Sequence, residues 1–137
     1  MMAEKRLIGY WLKELDRLIN QRFDEDLAAG ELSRRHWQML HSLAEGPRPV
    51  DDVRDGLTPF WTDAGEWDVQ LTQLVQRGLV VEDSGALSLT DTGRTTHDEA
   101  FVRIGRRRRA MVEGITDEQY LETVRMLETM AGNMAGE

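Results

Sequence analysis

The sequence predicts a mainly α-helical single domain of about six helices, interrupted once by a two-stranded β-hairpin. Three observations carry this. Apolar residues recur at helical spacing through most of the 137 residues. Ser33, Thr90 and Thr116 stand where helices begin, each with a hydroxyl able to cap free backbone N–H groups. The stretch GLVVEDSGALSLTDTGR, residues 78–94, reads as two short strands about a turn with a helix start directly behind them.

The first helix is marked by Leu7, Ile8, Trp11, Leu12, Leu15, Leu18 and Ile19 and extended by Phe23 and Leu27. Gly30 is its expected stop, through a left-handed backbone. The apolar stripe is wide for so short a chain, which points to burial against a second subunit. Ser33 caps the second helix, whose Trp37, Leu40 and Leu43 face inward, and GPRP (residues 46–49) ends it. A short third helix covers about residues 50–57, and Pro59 breaks it. PFWTDAG, residues 59–65, is a loop or tight turn.

Thr62 or Asp63 caps a fourth helix, with Asp63 and Glu66 spaced as a capping box. Trp67, Leu71, Leu74 and Val75 form its buried side, and Gly78 closes it. Residues 79–81 and 86–89 are the strands, with DSG at the turn. Thr90 caps a fifth helix running to about Gly114, with Phe101, Ile104, Met111 and Ile115 along one side. TDEQ, residues 116–119, is a capping box for a sixth helix with Tyr120, Leu121, Val124, Leu127 and Met130 as its apolar side. The terminal AGNMAGE is expected to fray.

Composition narrows the function. At 40% hydrophobic and 31% charged residues the chain is an ordinary folded protein. It has no cysteine, which excludes disulfides and thiolate metal sites and fits a reducing compartment. MMAEKRLIGY carries charges where a signal peptide needs an apolar run, and no segment approaches a membrane span, so a cytoplasmic protein with no membrane partner is expected. His36, His41 and His97 lack metal-ligand spacing, so neither metal nor cofactor is expected. Nucleophile-elbow, phosphate-loop and dinucleotide motifs are all missing, and the carboxylates fall mostly on polar helix faces. An enzyme is not expected.

Two segments carry a family resemblance. LTQLVQRGLVV (residues 71–81) is a leucine-spaced helix ending in R-G-L-V, and LSLTDTGR (residues 87–94) is a strand followed by L-T-x-x-G-R opening a long helix. At this separation, between long flanking helices, the chain resembles the MarR family of winged helix-turn-helix transcription regulators over nearly its whole length. IGYWLKELDRLI (residues 8–19) is similar to the opening of an actinobacterial subgroup of MarR-like proteins. The resemblance implies a single domain, residues 1–137, in which residues 31–94 form the winged helix-turn-helix unit, with the hairpin as wing. Residues 1–30 and 95–137 would supply the dimerisation helices, with Leu7, Ile8, Leu12, Leu15, Met111, Ile115, Tyr120, Val124 and Leu127 at the interface.

It also implies a double-stranded DNA operator as partner, with the fourth helix in the major groove. Opposite Trp67 and Leu71 that helix shows Glu66, Gln70, Gln73 and Arg77; glutamine and arginine can read base edges. Arg34, Arg35 and Arg94 could hold phosphates from the flanks. Arg54, Thr62, Gly65 and Ser84 complete the expected DNA-binding set. Many family members bind small aromatic acids between the dimer helices and the reading unit. Tyr10, Trp11, Trp37 and His41 are the candidate pocket for a small aromatic or anionic effector, core packing being the alternative for both tryptophans. The function so implied is a homodimeric, ligand-responsive repressor.

The departures from the family pattern concern charge. The net charge is −8, and across residues 50–90 Arg54 and Arg77 stand against Asp51, Asp52, Asp55, Asp63, Glu66, Asp68, Glu82 and Asp83, two minus eight giving −6. The wing tip, Asp83, Ser84 and Gly85, lacks the arginine common in the family. Phosphate neutralisation supplies most non-specific DNA affinity. Either these acids point away from the duplex, or binding is weak, or the chain is a degenerate member that binds a ligand or protein without specific DNA binding. Asp51 and Asp52 suit the helix dipole, and Asp63 and Glu66 are accounted for as caps. RIGRRRR, residues 103–109, lies mid-helix and is expected to pair with acids such as Asp24, Glu25 and Asp26, or to take an anionic ligand.

Overall fold

The computed structural model describes residues 7–61, 63 and 65–136. Its elements are α1 (Ile8–Ala28), α2 (Arg34–Ser42), β1 (Arg48–Pro49), α3 (Val50–Leu57), α4 (Glu66–Gln76), β2 (Val80–Asp83), β3 (Ala86–Leu89), α5 (Asp91–Met111) and α6 (Asp117–Ala135), with a 3-10 turn at Thr58–Phe60. The expected helices and hairpin are present. The chain forms two compact units, Met1–Ile104 and Gly105–Glu137, with the division inside α5.

In the first unit, Leu27 of α1, Met39 and Leu40 of α2, Val53 of α3, Trp67 and Leu74 of α4, Leu87 of β3 and Ala100 of α5 share one core. Removing such side chains from water is what holds short helices that would be marginal alone. The caps are those the sequence announces. Ser33 accepts from the His36 backbone N–H, while the Ser33 N–H donates to His36 Nδ1. Thr90 accepts from the Gly93 N–H.

The motif that carried the resemblance has a packing reason. The Thr90 hydroxyl also donates to the Gly78 carbonyl, closing the hairpin at its base. A Cβ on Gly93 would lie 1.9 Å from the Leu79 carbonyl oxygen, so α5 can cross the start of the wing this closely only without a side chain there. Arg94 donates to the Ala44 carbonyl behind α2. Arg77 donates to the carbonyls of Glu31 and Gly30 at the end of α1.

Several expectations are corrected. α1 ends in a Schellman motif, Leu32 N–H to Leu27 O and Glu31 N–H to Ala28 O, and the left-handed residue is Glu31 at φ 59°, not Gly30. The hairpin is part of a three-stranded antiparallel sheet ordered β1-β3-β2, with Arg48 opposite Leu87 and Pro49 opposite Ala86. Two residues with a proline give no strand signal in sequence. Asp63 and Glu66 form no capping box: Gly65 is the N-cap of α4, its N–H is held by the Asp63 carboxylate, and Glu66 pairs elsewhere. Val75 is exposed, not on the buried side of α4.

The second unit contains the end of α5 and α6. Thr116 and Gln119 form the expected capping box. α6 remains helical to Ala135, where fraying was expected. None of its described residues is buried, and Tyr120, Leu121, Val124, Met126, Met130 and Met134 stand exposed.

Candidate nucleic-acid interface

α4 is the last helix before the hairpin, and its orientation decides what it can offer a ligand. Trp67 and Leu74 are buried, with Leu71 half-buried beside them. The next face around the helix is turned to α2. Glu66 Oε2 takes a hydrogen bond of 3.1 Å from Arg35 Nε. Gln73 Oε1 lies 2.9 Å from His36 Nε2. Gln70 is half-buried and its side-chain oxygen has no hydrogen-bond partner among the described residues. The outward face carries Asp68, Val69, Thr72, Val75 and Gln76, with Gln73 exposed at its edge.

This corrects the expected reading face. On a helical wheel of about 100° per residue, Gln70 lies beside the core stripe and Glu66 and Gln73 on its flank, where α2 packs, so these residues are not the face opposite the core. A single-sequence stripe identifies the core-facing side of a helix and says nothing about a second helix packed at its flank. Thr62 lies outside the described residues. Gly65, as N-cap, leaves the start of α4 without a side-chain cap.

The expected phosphate-holding arginines are engaged within the fold. Arg34 donates to Asp24 and to Asn20, and stacks over Phe23. Arg35 lies over Trp61 as well as bonding Glu66. Arg54 sits between Asp51 and Asp55, at 2.8 and 3.4 Å. Arg77 and Arg94 are committed to main-chain carbonyls, as described above. Arg48, not singled out in the sequence, is exposed in β1 and has no side-chain hydrogen bond or ion pair among the described residues. Its only sequence signal was a cation between two prolines.

The wing is short. β2 and β3 pair from Val80–Leu89 to Asp83–Ala86, and Ser84 and Gly85 both take positive φ, 54° and 81°, as a two-residue type I′ turn requires. Ser84, at the tip, bonds the Asp83 carboxylate. The Gly85 carbonyl accepts from the Val50 N–H, which ties the tip to the start of α3.

Of the candidate pocket residues, Trp37 and His41 stack at 5.0 Å. His97 and Phe101 of α5 join the stack, His97 facing Trp37 at 5.0 Å and Phe101 lying 5.9 Å from both imidazoles. Periodicity marks Phe101 only as part of an apolar side of its helix, and the sequence marks His97 only as lacking metal-ligand spacing. Tyr10 and Trp11 meet edge to face on α1, both exposed. Trp61 is core, with its indole N–H donating to Gln38. On α1, Leu7, Ile8, Leu12 and Leu15 are exposed; Met111, Ile115, Tyr120 and Val124 are exposed in the second unit, and Leu127 is half-buried. From RIGRRRR, Arg103 donates to the main-chain carbonyl of Asp26, whereas Asp24 pairs with Arg34 and Glu25 with Arg22. No group of three metal-ligating side chains exists among the described residues, and no helix is long and apolar enough to cross a membrane.

No protein-family model and no curated protein sequence matches the chain. Solved structures do. A Mycobacterium tuberculosis MarR family protein in complex with DNA is 19% identical with a TM-score of 0.67, over 92% of this chain and 98% of that one. The transcriptional repressor CouR is 26% identical with a TM-score of 0.67, over 91% and 92%. NadR in complex with 4-hydroxyphenylacetate is 22% identical with a TM-score of 0.67, over 95% and 98%. Helix-turn-helix, wing and flanking helices in this order, matched nearly end to end, give the chain the MarR-like winged helix-turn-helix fold.

Proposed function

We propose that the protein is a MarR-type transcription regulator: a cytoplasmic, non-enzymatic homodimer that binds an operator in double-stranded DNA and responds to a small aromatic or anionic molecule. The observation that carries this is the end-to-end likeness to regulators of this fold, one of them solved on DNA. The apolar residues exposed on α1 and on α6 support dimerisation, since a monomer rarely leaves such stripes open. The Trp37–His41–His97–Phe101 stack, joining α2 to α5, supports the effector reading, because a flat ligand inserted there would separate those helices.

A second reading is favoured by a specific observation. Arg34, Arg35, Arg54, Arg77 and Arg94 are all bonded within the chain, and the reading head is acidic. A protein of this fold that binds a ligand or a protein without specific DNA binding fits those facts.

Selection from a random duplex pool at low and moderate salt separates the two. A regulator enriches one sequence with two related half-sites about one helical turn, near 34 Å, apart. If no sequence enriches at low salt, the second reading replaces the first. Sedimentation at micromolar concentration tests the dimer: a mass about twice 15.7 kDa is expected, and a clean monomer refutes it.

A further inference from the structure

We propose that Asp68, Val69 and Thr72 are the base-reading residues, with Asp68 selecting cytosine and the Val69 and Thr72 methyl groups selecting thymine. The inference rests on the DNA-binding reading above and specifies which bases that site takes. Three observations lead to it.

The first is orientation. Steps of about 100° per residue put Thr72 near the middle of the outward face, with Asp68 one turn before it and Val69 at its side. All three are exposed, Val69 at 54%. In a reading helix the N-terminal residues meet base edges. Asp68 and Val69 lie in the first turn, directly behind an N-cap, Gly65, that has no side chain to stand in the way.

The second is residue type. The outward face holds three β-branched side chains, Val69, Thr72 and Val75. On a helix surface facing only water these are poor choices, because they lose rotamer freedom and Val exposes apolar surface. They are apt where methyl groups meet the C5-methyl of thymine in the major groove.

The third is what α4 lacks. EWDVQLTQLVQ contains no lysine or arginine, so the commonest guanine contact is unavailable from this helix. Gln73 is exposed but its amide oxygen faces His36, and the Gln70 amide oxygen is buried, so neither is free to make the paired oxygen-and-nitrogen contact that recognises adenine. Gln76 stands in the last turn. The one polar group left in the entering turn of the outward face is the Asp68 carboxylate, an acceptor only, and its partner on a base edge is the cytosine N4 amino group. The same charge repels phosphate, so this helix holds DNA poorly unless the cytosine is there.

The test is random-duplex selection on the parent, Asp68→Asn and the double variant Val69→Ala/Thr72→Ser, with circular dichroism as the folding control. The parent is expected to enrich a cytosine next to thymine within each half-site. D68N is expected to lose the cytosine and prefer adenine there, while binding random DNA more tightly than the parent. Replacing the selected thymines by uracil removes only the methyl groups. It is expected to weaken the parent by roughly 4-fold per contacted methyl and to leave the double variant unchanged. If the parent enriches a site but D68N enriches the same one, or uracil has no effect, the assignment of these residues is overturned and DNA binding stands. If neither protein enriches any sequence at low salt, the DNA-binding reading fails and this inference with it.

Discussion

His41 Nδ1 lies 2.9 Å from His97 Nε2, and His97 Nδ1 lies 2.8 Å from Asp98 Oδ1. When the His97 ring is neutral, the carboxylate takes its Nδ1–H, which leaves Nε2 as the acceptor for His41. The pair thus joins α2 to α5 through a hydrogen bond whose direction is set from Asp98. His97 is only 4% exposed, whereas His41 is open to solvent. Replacing His97 by Ala removes a buried ring and should lower stability by about 2–4 kcal/mol. His41→Ala removes an exposed ring and leaves the His97 Nε2 to water, and should cost less, about 1 kcal/mol. Urea unfolding of the two variants gives the comparison, and equal losses would contradict it.

Gly93 is the position least able to accept a side chain. Its α5 backbone meets the Leu79 carbonyl so closely that a methyl group must push the helix off the wing. Gly93→Ala should therefore destabilise by about 3 kcal/mol, the upper end of the usual cost of overpacking. A thermal midpoint within a few degrees of the parent would show that α5 shifts at little cost.

His36 makes stability depend on pH. Burial lowers its pKa from the ordinary 6.5, the nearby Arg77 charge acts in the same direction, and the Gln73 hydrogen bond opposes them. Its Nδ1 is already an acceptor for the Ser33 N–H, so a proton there also opens the cap of α2. Since the folded pKa lies below the unfolded one, the unfolded chain takes up the proton first as pH falls. The His36 contribution is complete above about pH 6.5 and declines below it until the folded form is protonated as well. His36→Gln keeps an acceptor at the third helical position and removes the titration. The parent should lose more stability than H36Q between pH 7 and pH 5, and parallel losses would exclude this role.

Arg48 is the head's uncommitted cation among the described residues. If the protein binds DNA, Arg48→Ala should weaken all sequences alike and reduce the slope of log affinity against log salt by about 1. Arg54→Ala should change the slope less, since Asp51 and Asp55 already neutralise that guanidinium. Affinities across a salt series would settle the order of the two.

What the sequence disclosed follows from how local each signal is. α3 runs from Val50 to Leu57, as read, because Pro49 and Pro59 bound it. Ser33, Thr90 and Thr116 were legible as caps because capping is settled within three residues. The R-G-L-V and L-T-x-x-G-R segments were recognisable, and their spacing proves to be that of Thr90 on Gly78 and of Gly93 against Leu79. What packs on the flank of α4 was not legible. It depends on Arg35 and His36, about thirty residues earlier in the chain, reaching Glu66 and Gln73. The third strand is two residues long and exists through pairing with β3, so no pattern of its own could announce it.

The Arg77 clamp on the end of α1 has a consequence for how this chain can change. Its two nitrogens grip carbonyl oxygens, which every amino acid possesses, so the clamp is indifferent to the identity of its target side chains. Position 31 is therefore free to drift toward any residue that accepts a left-handed bend, and glycine there would be a gain. Position 77 has no such latitude. Lysine is a point charge and cannot span the pair as a planar fork does, so an apparently mild exchange would loosen the very joint at which the arm meets the head.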